Sequence, residues 1–407
     1  MWSLVPIALR NVARNKRRTA LTLAALLIGV GVMVGVRGVI NGLQRSMVES
    51  VALGQTGGLQ IHKKGYMKNV LGSPLNLDLP ADDAFLARVR KVPGVLAVAP
   101  RIIYGGMMNL GDITMFMGTI AIDPKREFAV CPKRAEVISG DGGRFVRGQA
   151  ADGIILSAEM AKALKGNLSG EAALLAPDKD GALSAENAHI IGTMQLTMPG
   201  EKKLGLAPLA LVQRLLKMEG RATEIAVRVA DIERVKETAA ALRSALGPAD
   251  EVHVWDDVAP FFKDMMFRQN FILTLVASVF MILMLLGVAN TMLMSVLDRT
   301  REIGTMMAVG VKRSHILALF LMEAALLGAL GGIVGGLLGS LLTAWLQHRG
   351  IVITLPTSPV PYVIRPFVSL RYLLLVVGIA GMGAMLFAAY PAWRASRLRP
   401  VQALAGG

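Results

Sequence analysis

The sequence predicts a membrane α-helical protein with four transmembrane helices and a large α+β extracytoplasmic domain between the first and the second. Three observations carry that reading. Residues 271–297 hold no charged side chain and 316–346 hold one, Glu323, so each is long enough to cross a hydrocarbon core of ~30 Å as a helix. Two further runs, 19–36 and 372–393, are also free of charge. Between the first two apolar runs, residues 41–268 change to mixed polar and apolar text with frequent turn signals, the pattern of a water-exposed α+β module.

Charge follows the same division. Of 407 residues 53% are hydrophobic, and the formal net charge is +15. Residues 45–268 hold 28 Lys/Arg against 26 Asp/Glu, which leaves 16 basic and 3 acidic residues for the rest. The excess therefore flanks or separates apolar spans, as the positive-inside bias and attraction to anionic membrane lipid require; no basic stripe marks a nucleic-acid footprint. The single cysteine, Cys131, excludes an intramolecular disulfide.

In chain order, residues 1–18 set Leu4, Ile7, Ala8 and Val12 against Arg10, Arg14, Lys16, Arg17 and Arg18 at helical spacing, an interfacial amphipathic helix. Transmembrane helix 1 spans 19–40. It is read as an uncleaved anchor because its apolar run is longer than a signal-peptide core and no A-x-A-like site follows. Within the domain 41–268, strands are expected at 58–62, 95–99 (ended by Pro100), 154–156, 188–191 and 225–229, and helices at 84–92, 158–165 and 232–246. A hairpin joins 107–110 to 113–121 through Gly111-Asp112. The Gly/Asp/Ser-rich stretch 139–198 reads as a middle inserted between two halves of one module.

Residues 254–268 give a helix that runs into transmembrane helix 2 (269–297). A polar loop or short helix (298–315), transmembrane helix 3 (316–346), a proline-rich loop (347–371), transmembrane helix 4 (372–393) and a tail (394–407) complete the chain. Lys and Arg near the span ends number twelve across 10–18, 299–313 and 394–399, against four on the other side, Arg37, Arg349, Arg365 and Arg371. Both termini are therefore expected in the cytoplasm, with the large domain on the other side of the membrane.

The segment between spans 2 and 3 is the most patterned. Arg299, Arg301, Glu302, Lys312 and Arg313 ring it with charge, while Ile303, Met306, Met307 and Val309 give it an apolar face. A partner groove would hold such a piece by burial and by charge, and a solvated positive-inside loop would show the same composition.

The runs Asn290-Thr291-Met292, Asp298-Arg299-Thr300-Arg301-Glu302-Ile303-Gly304, Ala308-Val309-Gly310 and Phe320-Leu321-Met322-Glu323-Ala324, ahead of a glycine-rich span, resemble the permeases of type VII ABC systems. That group includes the FtsX, MacB and LolC/LolE-like proteins. The stretch Tyr390-Pro391-Ala392-Trp393-Arg394-Ala395-Ser396-Arg397-Leu398-Arg399-Pro400 is similar to the tail of these permeases. Val92-Pro93-Gly94-Val95 and Ile154-Ile155-Leu156-Ser157 resemble phrases of their outer domain. One departure is Met307, where relatives often carry a basic residue.

The resemblance implies a coupling helix seated on a separate cytoplasmic ABC ATPase dimer through Arg299, Arg301, Glu302, Ile303, Gly304, Met307, Ala308, Gly310, Lys312 and Arg313. It also implies a second permease copy, in a homodimer or heterodimer that meets through the first two spans, and a periplasmic carrier or effector protein. ATP and Mg would be bound by the partner. The chain itself holds no Gly-Lys pair and hence no G-x-x-x-x-G-K-[ST] phosphate cradle, so a non-catalytic subunit without a cofactor of its own is expected. The five histidines lack zinc-site spacing, and no G-x-S-x-G motif occurs.

Glu323 lies about 10 Å into its span at ~1.5 Å per residue. Such a residue is a candidate for function in its own right or a structural partner of the basic segment nearby, and the second role is preferred here. Gly31, Gly35, Gly328, Gly331, Gly332, Gly335, Gly336 and Gly339 fall at small-residue spacing that lets helices approach closely in lipid. Ile40, Leu43, Met47, Phe261, Phe262, Met265, Met266 and Phe271 are candidates for an adaptable apolar substrate mouth. The expected function is LolC/LolE-like release of lipoproteins from the inner membrane. The alternatives are MacB-like efflux of peptides or antibiotics, and FtsX-like signalling to a cell-wall hydrolase.

Overall fold

All four apolar runs lie in long helices, and the sequence between the first two folds around one large β-sheet. The computed structural model describes residues 16–164, 170–195, 203–353 and 362–397. They form two compact units: one holds residues up to 45, 266–351 and 363 onward, and the other holds 46–265 and 352–362. Residues 1–15 of the segment expected to be amphipathic, and 398–407 of the tail, lie outside the described residues.

Helix α1 (Lys16–Val51) is followed by a π-helical turn at Ala52–Thr56, closed by Gly57 at φ +72°. The domain then runs β1 (Leu59–Lys63), β2 (Leu79–Pro80), α2 (Asp83–Arg90), β3 (Val95–Leu110), β4 (Ile113–Ile122), α3 (Pro124–Val130), α4 (Pro132–Glu136), β5 (Ile138–Gly140) and α5 (Gly142–Val146). It continues through β6 (Gly153–Ser157), α6 (Ala158–Ala163), β7 (Glu171–Pro177), β8 (Leu183–Met194), β9 (Leu204–Pro208), α7 (Leu209–Leu216), β10 (Arg221–Ala222), β11 (Glu224–Val229), α8 (Val235–Ala245), β12 (Asp250–Val254) and α9 (Trp255–Val258). The remaining helices are α10 (Pro260–Asp298), α11 (Thr300–Ala308), α12 (Arg313–Arg349) and α13 (Leu370–Ser396).

Several boundaries differ from those read in the sequence. Helix α1 continues past residue 40: residues 41–51 hold no proline and one glycine, so it keeps its helical ladder to Val51. At ~1.5 Å per residue α1 and α10 are about 54 and 58 Å long, well beyond a ~30 Å hydrocarbon core. The helix expected from residue 254 is interrupted, because Ala259 precedes Pro260 and takes a non-helical conformation, φ −118° and ψ 64°. The region 347–371 is shorter than expected on both sides, since α12 extends to Arg349 and α13 starts at Leu370 after a Ser369 cap.

Ten strands form one sheet in the order β12-β1-β11-β3-β4-β9-β6-β8-β5, with β7 pairing both β3 and β8. Two cores lie along it. Leu59, Ile61, Val98, Ile225 and Val227 pack with Leu86 of α2 and Leu242 of α8; Ile102, Met108, Ile154, Leu156 and Leu174 pack with Leu211 and Leu215 of α7. The second core takes residues from Ile102 to Met218, well beyond the stretch 139–198. The composition change at 139 marks short helices and loops, whereas the hairpin β3–β4 and the unit β9–α7 already belong to that core.

Strand β3 also runs through Pro100, where an end was expected. Pairing with β4 begins at Arg101, one residue later, so on that side the missing amide of Pro100 costs no ladder hydrogen bond. The sixteen-residue strand thus serves both cores.

In the helical unit, Leu26, Val30 and Val34 of α1 cluster with Met281, Leu285 and Val288 of α10 and Val376, Ala380 and Ala384 of α13. Ile28, Phe271, Phe280, Leu341 and Leu386 are each more than half exposed. So much contiguous apolar surface is stable against lipid and not against water.

Candidate functional site

The segment joining α10 to α12 is built as a short helix with a rooted face and an exposed rim. Arg299 leaves helical geometry (φ −103°, ψ 15°), and its carbonyl accepts the first hydrogen bond of α11 from the Ile303 amide at 2.9 Å. The far end is closed by a two-bond turn: the Gly310 amide donates to Met307 O at 3.1 Å and the Val311 amide to Met306 O at 3.0 Å. Gly310 sits at φ +96°, a conformation open to glycine at little cost, with nothing within 4 Å of the place a Cβ would take. Lys312 then caps α12 in extended geometry.

The rooted face is Ile303, fully buried among Met292, Val296, Ile316, Phe320, Ala324, Leu327, Ala388, Ala392 and Ala395, together with the buried Gly304. Arg299 is also buried, and its Nη1 donates to Oε2 of the equally buried Glu323 at 3.5 Å. The pair borders a small polar cavity lined by Thr19, Thr291, Met292, Ser295 and Leu327. Thr22 Oγ1 and Thr291 Oγ1 are hydrogen-bonded at 3.1 Å beside it. These placements divide the contact set expected from the sequence into buried and exposed members. Arg299, Ile303 and Gly304 face the bundle, because the short helix must bury one side to stay attached, and so they do not belong to an outer surface.

Arg301, Glu302, Thr305, Ala308, Val309, Gly310, Lys312 and Arg313 form the exposed rim, with Met307 half-buried at its edge. Val309, just past the end of α11, is 86% exposed.

Helix α12 meets two neighbours through two glycine stripes three residues apart. A Cβ at Gly328, Gly332 or Gly336 would press on Ala380, Val377 or Leu373 of α13. One at Gly331, Gly335 or Gly339 would press on Leu26, Leu27 or Gly31 of α1, the last at 2.6 Å from the Gly31 carbonyl. Gly31 belongs to this contact. Gly35 does not, since nothing lies within 4 Å of its Cβ position, whereas a Cβ at Gly38 would again press on Thr343 of α12.

Residues 274–400 match the model described as FtsX-like permease C-terminal, and residues 19–245, more than half of the chain, match the MacB-like periplasmic core domain. The chain belongs to the family of MacB/FtsX-type permeases. Relatives include the macrolide export ATP-binding/permease protein MacB of Nitrobacter winogradskyi, 27% identical over 427 residues that cover 100% of this chain and 61% of that protein. The corresponding MacB of Wolinella succinogenes is 34% identical over 188 residues, covering 44% of this chain and 27% of that one. This chain thus spans 61% or less of the length of these two relatives. The crystal structure of the periplasmic region of MacB from Actinobacillus actinomycetemcomitans aligns with a TM-score of 0.33 at 13% identity, covering 54% of this chain and 98% of that one.

In this MacB/FtsX-type permease the core domain lies between the first and second spans. The residues proposed for a substrate mouth are divided between the two units. In the helical unit, Arg37 Nη1 donates to Asn270 Oδ1 at 2.8 Å and Gln44 Nε2 to Gln269 Oε1 at 3.3 Å. Polar clasps therefore hold α1 beside α10 at the level of Ile40, Leu43, Met266 and Phe271. In the domain, Phe262 sets its ring edge-on to Phe261 at 5.7 Å, and Met47 and Met265 are half-buried.

Sequence reading of the permease missed a buried charged network made by His62, Arg101, Glu127, Arg134 and Glu224. Its members are far apart in the chain and fit no motif. The one available signal was Arg101 alone in the apolar run Val95–Leu110.

Proposed function

We propose that this chain is the membrane subunit of an ATP-driven complex in which a separate cytoplasmic ATPase dimer seats on the α11 rim and moves the periplasmic domain. The single observation that supports this most is the two-faced geometry of α11. Its inner face is fixed by Ile303 and by the Arg299–Glu323 pair, so a load applied to the exposed Arg301, Val309, Lys312 and Arg313 is delivered to α10 and α12 and not absorbed by a loose loop. A second permease copy would cover part of the apolar surface left by α1 and α10, with lipid covering the rest.

For cargo, the reading is a lipoprotein drawn from the outer leaflet and passed to a periplasmic carrier. A second reading, efflux of a macrolide or peptide, is favoured by the names of the relatives, which are macrolide exporters.

Purifying the complex from membranes, reconstituting it and supplying ATP separates these outcomes. Release of an acylated lipoprotein to a soluble acceptor supports the first cargo. Uptake of a labelled macrolide into inverted vesicles, without lipoprotein release, supports the second. Failure of any ATPase to co-purify, or hydrolysis unaffected by the permease, would refute the coupled reading itself.

A further inference from the structure

The face of the sheet that packs against α3, α4 and the π-helical turn is charged along one line. Register sets Glu251 of β12, His62 of β1, Glu224 of β11 and Arg101 of β3 side by side in a single transverse row. His62, Glu224 and Arg101 are all buried. Arg101 Nη1 donates to Glu224 Oε1 at 3.0 Å, and His62 Nε2 lies 3.5 Å from Glu224 Oε2. From the end of the row, Arg101 Nε and Nη2 each donate to Glu127 of α3 at 2.8 Å, a two-pronged pair.

The chain of contacts goes one step further. Arg134 of α4 donates through Nη1 to Glu127 Oε1 at 2.8 Å, while its other two nitrogens reach main-chain carbonyls: Nε to Gly54 O at 3.0 Å and Nη2 to Gln55 O at 2.8 Å. The Cys131 thiol lies 3.7 Å from Ala52 O. These carbonyls belong to the last helical turn after α1, where a helix leaves its acceptors without intrahelical donors. Gly57 turns the chain away immediately afterwards, and β1 begins at Leu59.

A guanidinium suits this place. It is planar and permanently charged, and its forked N–H groups address two carbonyls and a carboxylate together, which a compact ammonium does not. Burying it demands a counter-charge, and Glu127 supplies one while being held by Arg101. Arg101 and Arg134 against Glu127 and Glu224 give two cations and two anions, a balanced set in a water-poor site.

We infer that Arg134 is a positioning residue: with Glu127 and Arg101 it fastens the turn that follows the first membrane helix to strands β3 and β11, so that this part of the domain follows displacement of that turn. The role rests on the reading that the permease passes force to its periplasmic domain.

The test uses the full-length permease with its co-purifying ATPase in lipid nanodiscs, comparing native protein with Arg134→Gln by amide hydrogen exchange. Glu127 keeps its two-pronged partner Arg101 in this variant, so the fold is expected to persist. At rest, exchange across residues 52–60 should rise about tenfold, as expected for lost hydrogen bonds to a charged group, while β6 and β8 in the other core stay unchanged. Unchanged exchange at 52–60 would overturn the assignment. During turnover the native protein should show a nucleotide-dependent change in β1 and β11 that the variant loses, with its hydrolysis rate near native; a variant that keeps the native response overturns the role. If the native protein shows no nucleotide response, the force-passing reading fails and the resting comparison alone decides whether Arg134 fastens the turn. Should Arg134→Gln prove unstable on heating, Arg134→Lys, which keeps the charge beside Glu127 but loses the fork, carries the same two expectations.

Discussion

Arg299 and Glu323 face each other across 3.5 Å inside the helical bundle, one at the foot of the short helix α11 and the other within the third span. Each is 5% exposed, so neither charge is served mainly by water. The relationship ties the exposed segment to α12 by a contact additional to chain connectivity.

Removing one member should therefore cost more than removing both. Glu323→Ala or Arg299→Met leaves a buried charge and is expected to destabilise the bundle by about 3–5 kcal/mol, whereas the double change Arg299→Met with Glu323→Leu should recover most of that loss. Thermal unfolding of the four proteins in detergent gives the comparison. A double variant no more stable than either single would show that the pair is not the buried unit described. Glu323→Gln should retain transport if the residue is structural.

Reversal of the outer rim should separate assembly from folding. Arg301→Glu with Arg313→Glu is expected to abolish co-purification of the ATPase while the melting temperature stays close to native, because both side chains are exposed. Val309→Asp should act in the same direction. Unchanged recovery of the ATPase with these variants would move the docking surface elsewhere.

Glycine-to-alanine changes should divide cleanly by position. Gly339→Ala places a methyl group 2.6 Å from the Gly31 carbonyl and is expected to cost about 1–3 kcal/mol through forced separation of α12 and α1. Gly35→Ala meets open space and should be neutral or slightly stabilising through helix propensity. Unfolding midpoints of the two variants supply the readout, and equal effects would contradict the close-approach geometry.

Acid should weaken the core domain through Glu224. Burial raises its pKa, but His62 and Arg101 beside it outweigh that and hold it at about 2, below the ordinary 4.5. Because the folded value is the lower one, the ionised group stabilises the fold above the ordinary value, and that contribution is lost as pH falls from there towards about 2. Unfolding of the full chain followed at several acidic pH values should show this slope, and Glu224→Gln should flatten it. An identical slope in the variant would assign the acid sensitivity to other groups.

The single thiol should be silent in the native protein. Burial pushes the Cys131 pKa up even with Arg101 alongside, and the side chain has no exposed surface. A maleimide at neutral pH should label it only after unfolding; fast labelling of native protein would mean that the α3–α4 face opens readily.

Much of this arrangement was legible from residue patterns because lipid imposes strict ones. Uncharged runs announced the spans, and the glycines of α12 announced close packing, since both are local properties of the text. Gly111-Asp112 likewise marked the β3–β4 turn. The extent of the second core was hidden, because strand order is non-local: β9 pairs in parallel with β4 some eighty residues away. Glu323 is legible as a structural partner of the nearby basic segment; what the sequence does not say is that Arg299, set on the contact surface by its charge and by the resemblance, is the residue it draws inward. The Arg101–Glu127–Arg134 set left only the lone Arg101 as a trace, being assembled by tertiary packing and not by spacing.

The paired glycine stripes on α12 also limit how that helix can move. Turning it by one residue step, about 100°, would drive Leu330 or Val334 into a gap only wide enough for bare backbone. Rolling is thus denied to it, while tilting about the crossing points is not. Whatever pushes on its foot should make α1, α12 and α13 lean together, like three slats pinned at their crossings.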